Sequence, residues 1–463
     1  MNKRSGTLAS LLYLIGNILT KALAFLTIPI FTRMLTVTEY GVLNTYDSWV
    51  SIAAVLVELS LYNSFRVAFV EKNENFEEYC ASAIRLGGLL CIISLVFATA
   101  TMLLFRQLRP FAWMIYCCLI QAYGMFCITS MTTKYMMQYK YEKRAFYMIA
   151  PNVLCVGFAL LMMCLLPKHR LFARIIGYVA VYVLVSCMVL ISFKGVPTNR
   201  GYGKEALLFS LPLVLHGLSL VVLSSSDRIM ITLLVSAEQS GVYSLMYNVG
   251  LIGVAVSSAL EGIWIPWFSH MLKQQKIQQI NEKAAFLIEN ISVVVIGVML
   301  VAPEMVRIMA DARYWQGIPM LIPIALASYV MFLYGLAVNV EYQCHATKQI
   351  AVNTIAAAVL NLVLNAVLIP IYGAHAAAYT TLASYVISLL VHYSVAKSYV
   401  PDIFPVRKYG LYLFFVFGFG ILCNLLLEQP FVRWSIAIVL GCGYLYLMIA
   451  RRRLISLQIN LKN

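Results

Sequence analysis

Long apolar runs broken by short polar stretches repeat along the whole chain. A bilayer core of about 30 Å takes about 20 helical residues to cross. On that measure the pattern predicts fourteen spans, at about 8–31, 40–62, 82–105, 110–133, 146–166, 171–193, 206–234, 240–267, 284–309, 317–341, 348–370, 373–397, 409–427 and 431–449. The expected fold is an all-α integral membrane protein. Lys3 and Arg4 stand before the first run as they do in a signal peptide. That run is about 24 residues long, contains Lys21 and has no small-residue cleavage site after it, so it reads as a retained first span.

Composition agrees with the pattern: 62% of residues are hydrophobic and 11% are charged, where a soluble domain carries about 25%. The formal net charge is +15, but no soluble basic domain exists to place it on nucleic acid. Its distribution is informative. With the N-terminus inside, the cytoplasmic segments hold about 22 Lys and Arg and the outer segments about eight. That bias predicts an even number of spans with both termini cytoplasmic. Trp113, Trp315 and Trp434 then fall at outer interfaces and Trp264 and Trp267 at an inner one. The segment 270–283, HMLKQQKIQQINEK, reads as a short helix with a basic face on the inner surface. Most of the eleven cysteines lie inside apolar runs, without C-x-x-C pairs or metal-ligand spacing, and are expected to be packing residues.

The stretch from Leu207 to Tyr247 has an echo in the first half. At an offset of 200, Leu35-Thr36-Val37-Thr38-Glu39-Tyr40-Gly41-Val42 falls on Val235-Ser236-Ala237-Glu238-Gln239-Ser240-Gly241-Val242. In each copy a span ends, a polar hairpin follows, and Gly-Val opens the next span. The expected organisation is a six-helix lobe over 1–193, a cytoplasmic linker over 194–206, and a second six-helix lobe over 207–400. Two extra helices and a basic tail occupy 401–463. An even offset in spans makes the lobes parallel repeats, an arrangement in which transporters rock one repeat against the other around a substrate.

The residues R-x-L-(x)3-E-Y-G-V at Arg33 to Val42, S-L-P at Ser210 to Pro212, D-R at 227–228 and G-V-Y-S at 241–244, across fourteen spans, resemble the bacterial lipid-linked oligosaccharide flippases. These form the polysaccharide-transporter branch of the multidrug/oligosaccharidyl-lipid/polysaccharide exporter superfamily, with the O-antigen and capsule repeat-unit flippases. The resemblance implies two lobes around a central cavity, alternating access, and a bacterial inner membrane. It implies an undecaprenyl-pyrophosphate-linked glycan as substrate. Membrane lipids, a coupling proton or sodium ion, and other polysaccharide-assembly proteins are the expected partners. In related peptidoglycan-precursor flippases the last two helices form a groove for the lipid tail, a role open to spans thirteen and fourteen. The alternatives are a multidrug-type cation antiporter of the same superfamily, which usually has twelve spans and an acidic cavity, and a membrane-embedded glycosyltransferase or polymerase. The last would need a large outer loop or a clustered acid/base set, and neither is visible.

There is no G-x-S-x-G, H-E-x-x-H or Walker loop, so neither enzyme chemistry, cofactor nor metal is expected. Candidate site residues are therefore intramembrane polar groups, which are costly unless they face protein or water. Lys21 lies about 20 Å into the core, counting 1.5 Å per residue, on one stripe with Tyr13 and Asn17. It serves an anionic headgroup, pairs with Asp47, or does both. Asn44, Asp47, Ser51 and Glu58 share one face of span two, as a cavity lining or a helix–helix seam. Arg85 and Arg174 suit pyrophosphate by their planar fork, or snorkel to lipid headgroups. Asp227 and Arg228 read as an anchor or lock, or as a substrate contact. His216, near midplane, is a packing residue or a proton-sensitive one. Glu58 and Glu261 are gating or ion-pair candidates at the inner ends of their spans, Glu261 toward Arg85. Asn353, Asn361 and Asn365 stripe span eleven, packing helices or facing sugar hydroxyls.

Overall fold

The computed structural model describes residues 22–23 and 25–450. Among the described residues sixteen α-helices follow in order: α1 (Phe25–Met34), α2 (Val37–Glu58), α3 (Phe65–Glu71), α4 (Phe76–Leu104), α5 (Ala112–Met137), α6 (Tyr141–Leu165), α7 (Arg170–Ser192), α8 (Arg200–Leu234), α9 (Ala237–Gly250), α10 (Ile252–Lys273), α11 (Ile277–Met309), α12 (Leu321–Gln343), α13 (Thr347–Tyr372), α14 (Ala374–Tyr399), α15 (Val406–Leu425) and α16 (Pro430–Ala450). Of these, eleven spans are long and apolar enough to cross a membrane, and thirteen if each of two bent pairs counts as one. Every predicted span from the third onward has its helix. The first begins outside the described residues and continues as α1.

The boundaries depart from the hydrophobic pattern in four places. Span two does not run straight to residue 62: α2 stops at Glu58, Leu59 and Ser60 take the left-handed conformation (φ 43° and 55°), and the chain resumes 51° away over Leu61–Glu71. No Gly or Pro announces this break. Span eight is α9 and α10, bent by 42° around Leu251. The expected surface helix at 270–283 is absent as a separate element. Instead α10 runs to Lys273, Gln275 turns at φ 55°, and α11 starts at Ile277. The polar residues there belong to a tight turn and two helix ends. Likewise α8 starts at Arg200, inside 194–206, where Asn199 Oδ1 accepts from Gly201 N at 2.7 Å and caps it.

The chain forms two compact units. One holds the described residues up to Ser244 together with Thr354–Ala377; the other holds Leu245–Asn353 and the described residues from Ala378 onward. In the first, Phe65 meets Phe76 and Tyr79 edge to face, and Phe126, Cys127 and Met131 of α5 complete a core that excludes solvent. In the second, α12 is buried along most of its length, and Leu326 fills the space left open by Gly420 of α15. Phe97, Phe414 and Phe431 remain outward-facing, as suits side chains whose solvent is lipid. Trp315 and Trp434 are exposed like belt residues, whereas Trp264 is buried and stacked on Phe268, a core residue and not an interfacial one.

Candidate functional site

The two hairpins share one capping geometry. Thr36 Oγ1 accepts from Glu39 N at 3.1 Å, and Ser236 Oγ accepts from Gln239 N at 3.1 Å, so both copies start a helix with the same cap. In the first copy Glu39 also reaches back to Thr36 N (2.9 Å), completing a capping box. In the second, Gln239 Oε1 instead accepts from Ala374 N at 2.9 Å, beside Gly373 in its left-handed turn (φ 63°).

The two copies pack on each other. A Cβ added at Gly41 would lie 1.7 Å from Ala237 O, and one added at Gly241 would lie 2.3 Å from Val37 O. Since 37 corresponds to 237 and 41 to 241, each contact is the pseudo-symmetric image of the other, as in an isologous interface. Only glycine lets the two backbones come this close. One turn further on, Thr45 of α2 and Thr232 of α8 share a hydrogen bond, Oγ1 to Oγ1 at 2.6 Å. Arg228 O accepts from Ser240 Oγ at 3.1 Å. The junction therefore joins α2, α8 and α9 through backbone contact and hydroxyls.

Beside it lies a buried cation. Arg174 of α7 donates Nη2 to Asp47 Oδ2 at 3.0 Å and Nη1 to Oδ1 at 3.3 Å, and its guanidinium lies 3.6 Å from the centre of the Tyr178 ring. The Arg174 side chain is 7% exposed and the Asp47 side chain 38%. This is the two-pronged geometry that guanidinium makes with carboxylate or phosphate. Asp47 therefore pairs with Arg174; Lys21, its expected mate, lies outside the described residues. The rest of that face turns inward on itself: Asn44 donates to Tyr40 O and Ser51 to Asp47 O.

Asp227 is 1% exposed and accepts from Tyr243 OH and Asn365 Nδ2, each at 2.6 Å. Asn365 also donates to Asn361 Oδ1 at 3.1 Å, so one of the three striped asparagines meets this acid and a second meets that asparagine. Arg228 is half-buried and sends Nη1 toward Ser224 O at 3.4 Å. Arg85 is occupied by the segment before α8, donating to Thr198 Oγ1 (3.1 Å), Phe193 O (3.2 Å) and Val196 O (3.2 Å). Glu58 is the last residue of α2, half-buried at the helix break. Glu261 lines a small cavity of about 10 Å³ with Trp264, Gly335 and Asn339, room for about one water. Asn17 and Lys21 lie outside the described residues, and His216 is placed only as a residue of α8.

Two buried pairs escaped the sequence reading. Arg433 at the start of α16 is fully buried; it binds Glu304 of α11 through both terminal nitrogens and donates to Leu300 O at 2.6 Å. Glu341 of α12 and His392 of α14 are both fully buried and share a 2.8 Å contact. Each partner lies far away in sequence, and no local spacing marks it. The only available signal was a charge within an apolar run.

Solved structures share this fold. One is described as the lipid II flippase MurJ in an inward closed conformation (TM-score 0.68, 14% identity, 97% of this chain and 100% of that chain). Another is an inward-facing multidrug resistance MATE family transporter of the MOP superfamily (TM-score 0.63, 12% identity, 84% and 98%). A relative in Haemophilus influenzae, Lsg locus putative protein 1, is 22% identical over 354 residues, covering 72% of this chain and 82% of its own length. The polysaccharide biosynthesis protein family matches residues 9–272, more than half of the chain. The chain is a multi-pass membrane protein that belongs to this polysaccharide biosynthesis family, with a transporter fold and not that of an enzyme class.

Proposed function

We propose that the chain is a flippase of the bacterial inner membrane. It carries undecaprenyl-pyrophosphate-linked oligosaccharide repeat units from the inner to the outer leaflet by alternating access, for O-antigen, capsule or a related surface polysaccharide. The substrate class rests on the family, and on the likeness to a lipid II flippase along 97% of the chain. The mechanism rests on one observation, the paired contact of Gly41 with Ala237 and Gly241 with Val37. Two copies of one hairpin meet without room for a methyl group, so the lobes 1–193 and 207–400 close by matching surfaces and open by parting them. Both termini are cytoplasmic, and fourteen spans place this junction at the outer side.

Cations do the remaining work. Lys21, Arg174 and Arg228 offset the desolvation of a pyrophosphate crossing the core. An inside-negative potential favours outward movement by about 2.3 kcal/mol per charge per 100 mV. Two charges give roughly 4–5 kcal/mol, enough to drive flipping without a large intrinsic bias.

The test is translocation of a fluorescent undecaprenyl-pyrophosphate glycan in proteoliposomes, comparing wild type, Lys21→Ala and Lys21→Arg. The expected result is flipping by wild type, loss in Lys21→Ala at normal expression, and partial return in Lys21→Arg. Normal flipping by Lys21→Ala moves the headgroup site to the arginines. A wild type that moves no glycan but extrudes organic cations overturns the proposal in favour of the antiporter.

A further inference from the structure

A cleft of about 440 Å³ opens where α11 and α15 begin, a volume within the range of small-molecule sites. Both helices are long and apolar enough to cross a membrane, so the cleft stands at a membrane–water boundary. On the topology proposed above that boundary is the inner one. Three charged side chains line the cleft: Glu282 of α11, Asp402 in the turn before α15, and Lys408 in the first turn of α15. The turn is pinned to α11 by one residue. Asn281 Nδ2 donates to Asp402 O at 2.8 Å, and Asn281 Oδ1 accepts from Phe404 N at 2.7 Å. Tyr409 OH donates to Asn281 O at 3.2 Å, and its ring lies 5.4 Å from that of the buried Phe404. Asp402 and Lys408 are therefore held at the rim without their own side chains doing the holding.

The charges of the two signs share the cleft but do not neutralise each other. Glu282 Oε1 accepts from Gln278 Nε2 at 3.1 Å. Among the described residues neither the Asp402 carboxylate nor the Lys408 ammonium makes a hydrogen bond or an ion pair within the protein. A ligand that satisfies both signs carries a cationic donor and an anion on a short linker. A primary ammonium suits the two carboxylates because it brings three N–H donors, whereas a trimethylammonium brings none. A phosphate suits the compact charge of Lys408. The surface beyond the cleft is made for lipid. Leu411 and Phe415 follow Lys408 on the same face of α15 at i+3 and i+7, and each is 56% exposed. Leu411 lies about 4.5 Å further along the axis than Lys408, where the acyl chains of a bound phospholipid would begin.

We propose that this cleft binds the headgroup of phosphatidylethanolamine. Glu282 and Asp402 take the ammonium, Lys408 takes the phosphate, and the acyl chains run along Leu411 and Phe415. A lipid seated there bridges α11 to the turn before α15. The site does not rest on the flippase reading; only the leaflet it faces rests on the proposed topology.

Native mass spectrometry of the full chain in detergent, titrated with short-chain phospholipids, tests the site. Phosphatidylethanolamine is expected to bind about tenfold more tightly than phosphatidylcholine, which keeps the phosphate but lacks N–H donors, and than phosphatidylglycerol, which has no cation. Glu282→Gln/Asp402→Asn is expected to bring the ethanolamine and choline lipids within about twofold of each other. Lys408→Gln is expected to weaken both together. Arg407→Gln makes the same charge change one residue away and outside the cleft, and is expected to alter neither. Equal wild-type affinity for the ethanolamine and choline lipids, or a preference that survives in the double variant, overturns the site. So does equal weakening by Arg407→Gln and Lys408→Gln, which would mark a diffuse charge effect. Glycerophosphoethanolamine, the same headgroup without acyl chains, is expected to compete at least about tenfold more weakly than the lipid. Equal competition overturns the assignment to a lipid in favour of a soluble phosphoethanolamine. Binding is read without any transport step, so a failure of the flippase reading leaves these outcomes unchanged.

Discussion

Gly41→Ala is the sharpest perturbation the fold offers. The added methyl carbon would sit 1.7 Å from Ala237 O, a backbone atom that cannot rotate away. Real contacts at Cβ need more than 3 Å, so the two hairpins must part by more than an ångström. Overpacking of this kind costs about 1–3 kcal/mol. Because the strain exists only while the copies touch, it falls on the closed junction and shifts the equilibrium toward the parted form by about 5- to 150-fold. Disulfide trapping reads that shift. Thr45 and Thr232 oxygens are 2.6 Å apart, near the about 2.05 Å of an S–S bond, so Thr45→Cys/Thr232→Cys in a cysteine-free background reports closure. Its oxidation rate is expected to drop by the same factor in Gly41→Ala. Gly157→Ala in α6 is the control: nothing lies within 4 Å of its added carbon, and the trapping rate should stay unchanged. An unaltered rate in Gly41→Ala would refute the claim that the junction is a close contact of the two repeats.

Other expectations follow from the same geometry. Asp47→Asn leaves Arg174 buried without a counter-charge. It should lower thermal stability toward the lower end of the about 3–5 kcal/mol seen for broken buried pairs, because Asp47 is itself 38% exposed. Arg174→Gln should cost less, since the carboxylate left behind reaches water. Arg433→Met should speed amide exchange over 426–450 and destabilise by about 3–5 kcal/mol, while Arg433→Met/Glu304→Leu should recover most of the loss. Thr36→Ala and Ser236→Ala should each cost about 1 kcal/mol in unfolding experiments, and by similar amounts, because the two caps are the same cap.

How much of this was legible in the sequence depends on range. Hydrophobic runs report helices residue by residue, so the spans from the third onward were readable from the pattern alone. The hairpin repeat was readable because both copies keep Gly-Val and a hydroxyl cap, each enforced by a local requirement. The break after Glu58 was hidden, since Leu59 and Ser60 take a left-handed conformation that their identities do not announce. The turn at Gln275 was hidden for a similar reason, its polar residues imitating an amphipathic surface helix. Pairing was the least legible. Asp47 pointed to an intramembrane partner but not to Arg174, which lies 127 positions away. Glu304–Arg433 and Glu341–His392 needed the packing of separate helices before either could be seen.

The most direct test of the central claim asks whether the junction must part for the glycan to cross. Proteoliposomes carrying Thr45→Cys/Thr232→Cys would be assayed for headgroup translocation after oxidation and again after reduction. The account predicts that the disulfide stops flipping and that reductant restores it. Flipping at the wild-type rate with the disulfide intact would contradict it.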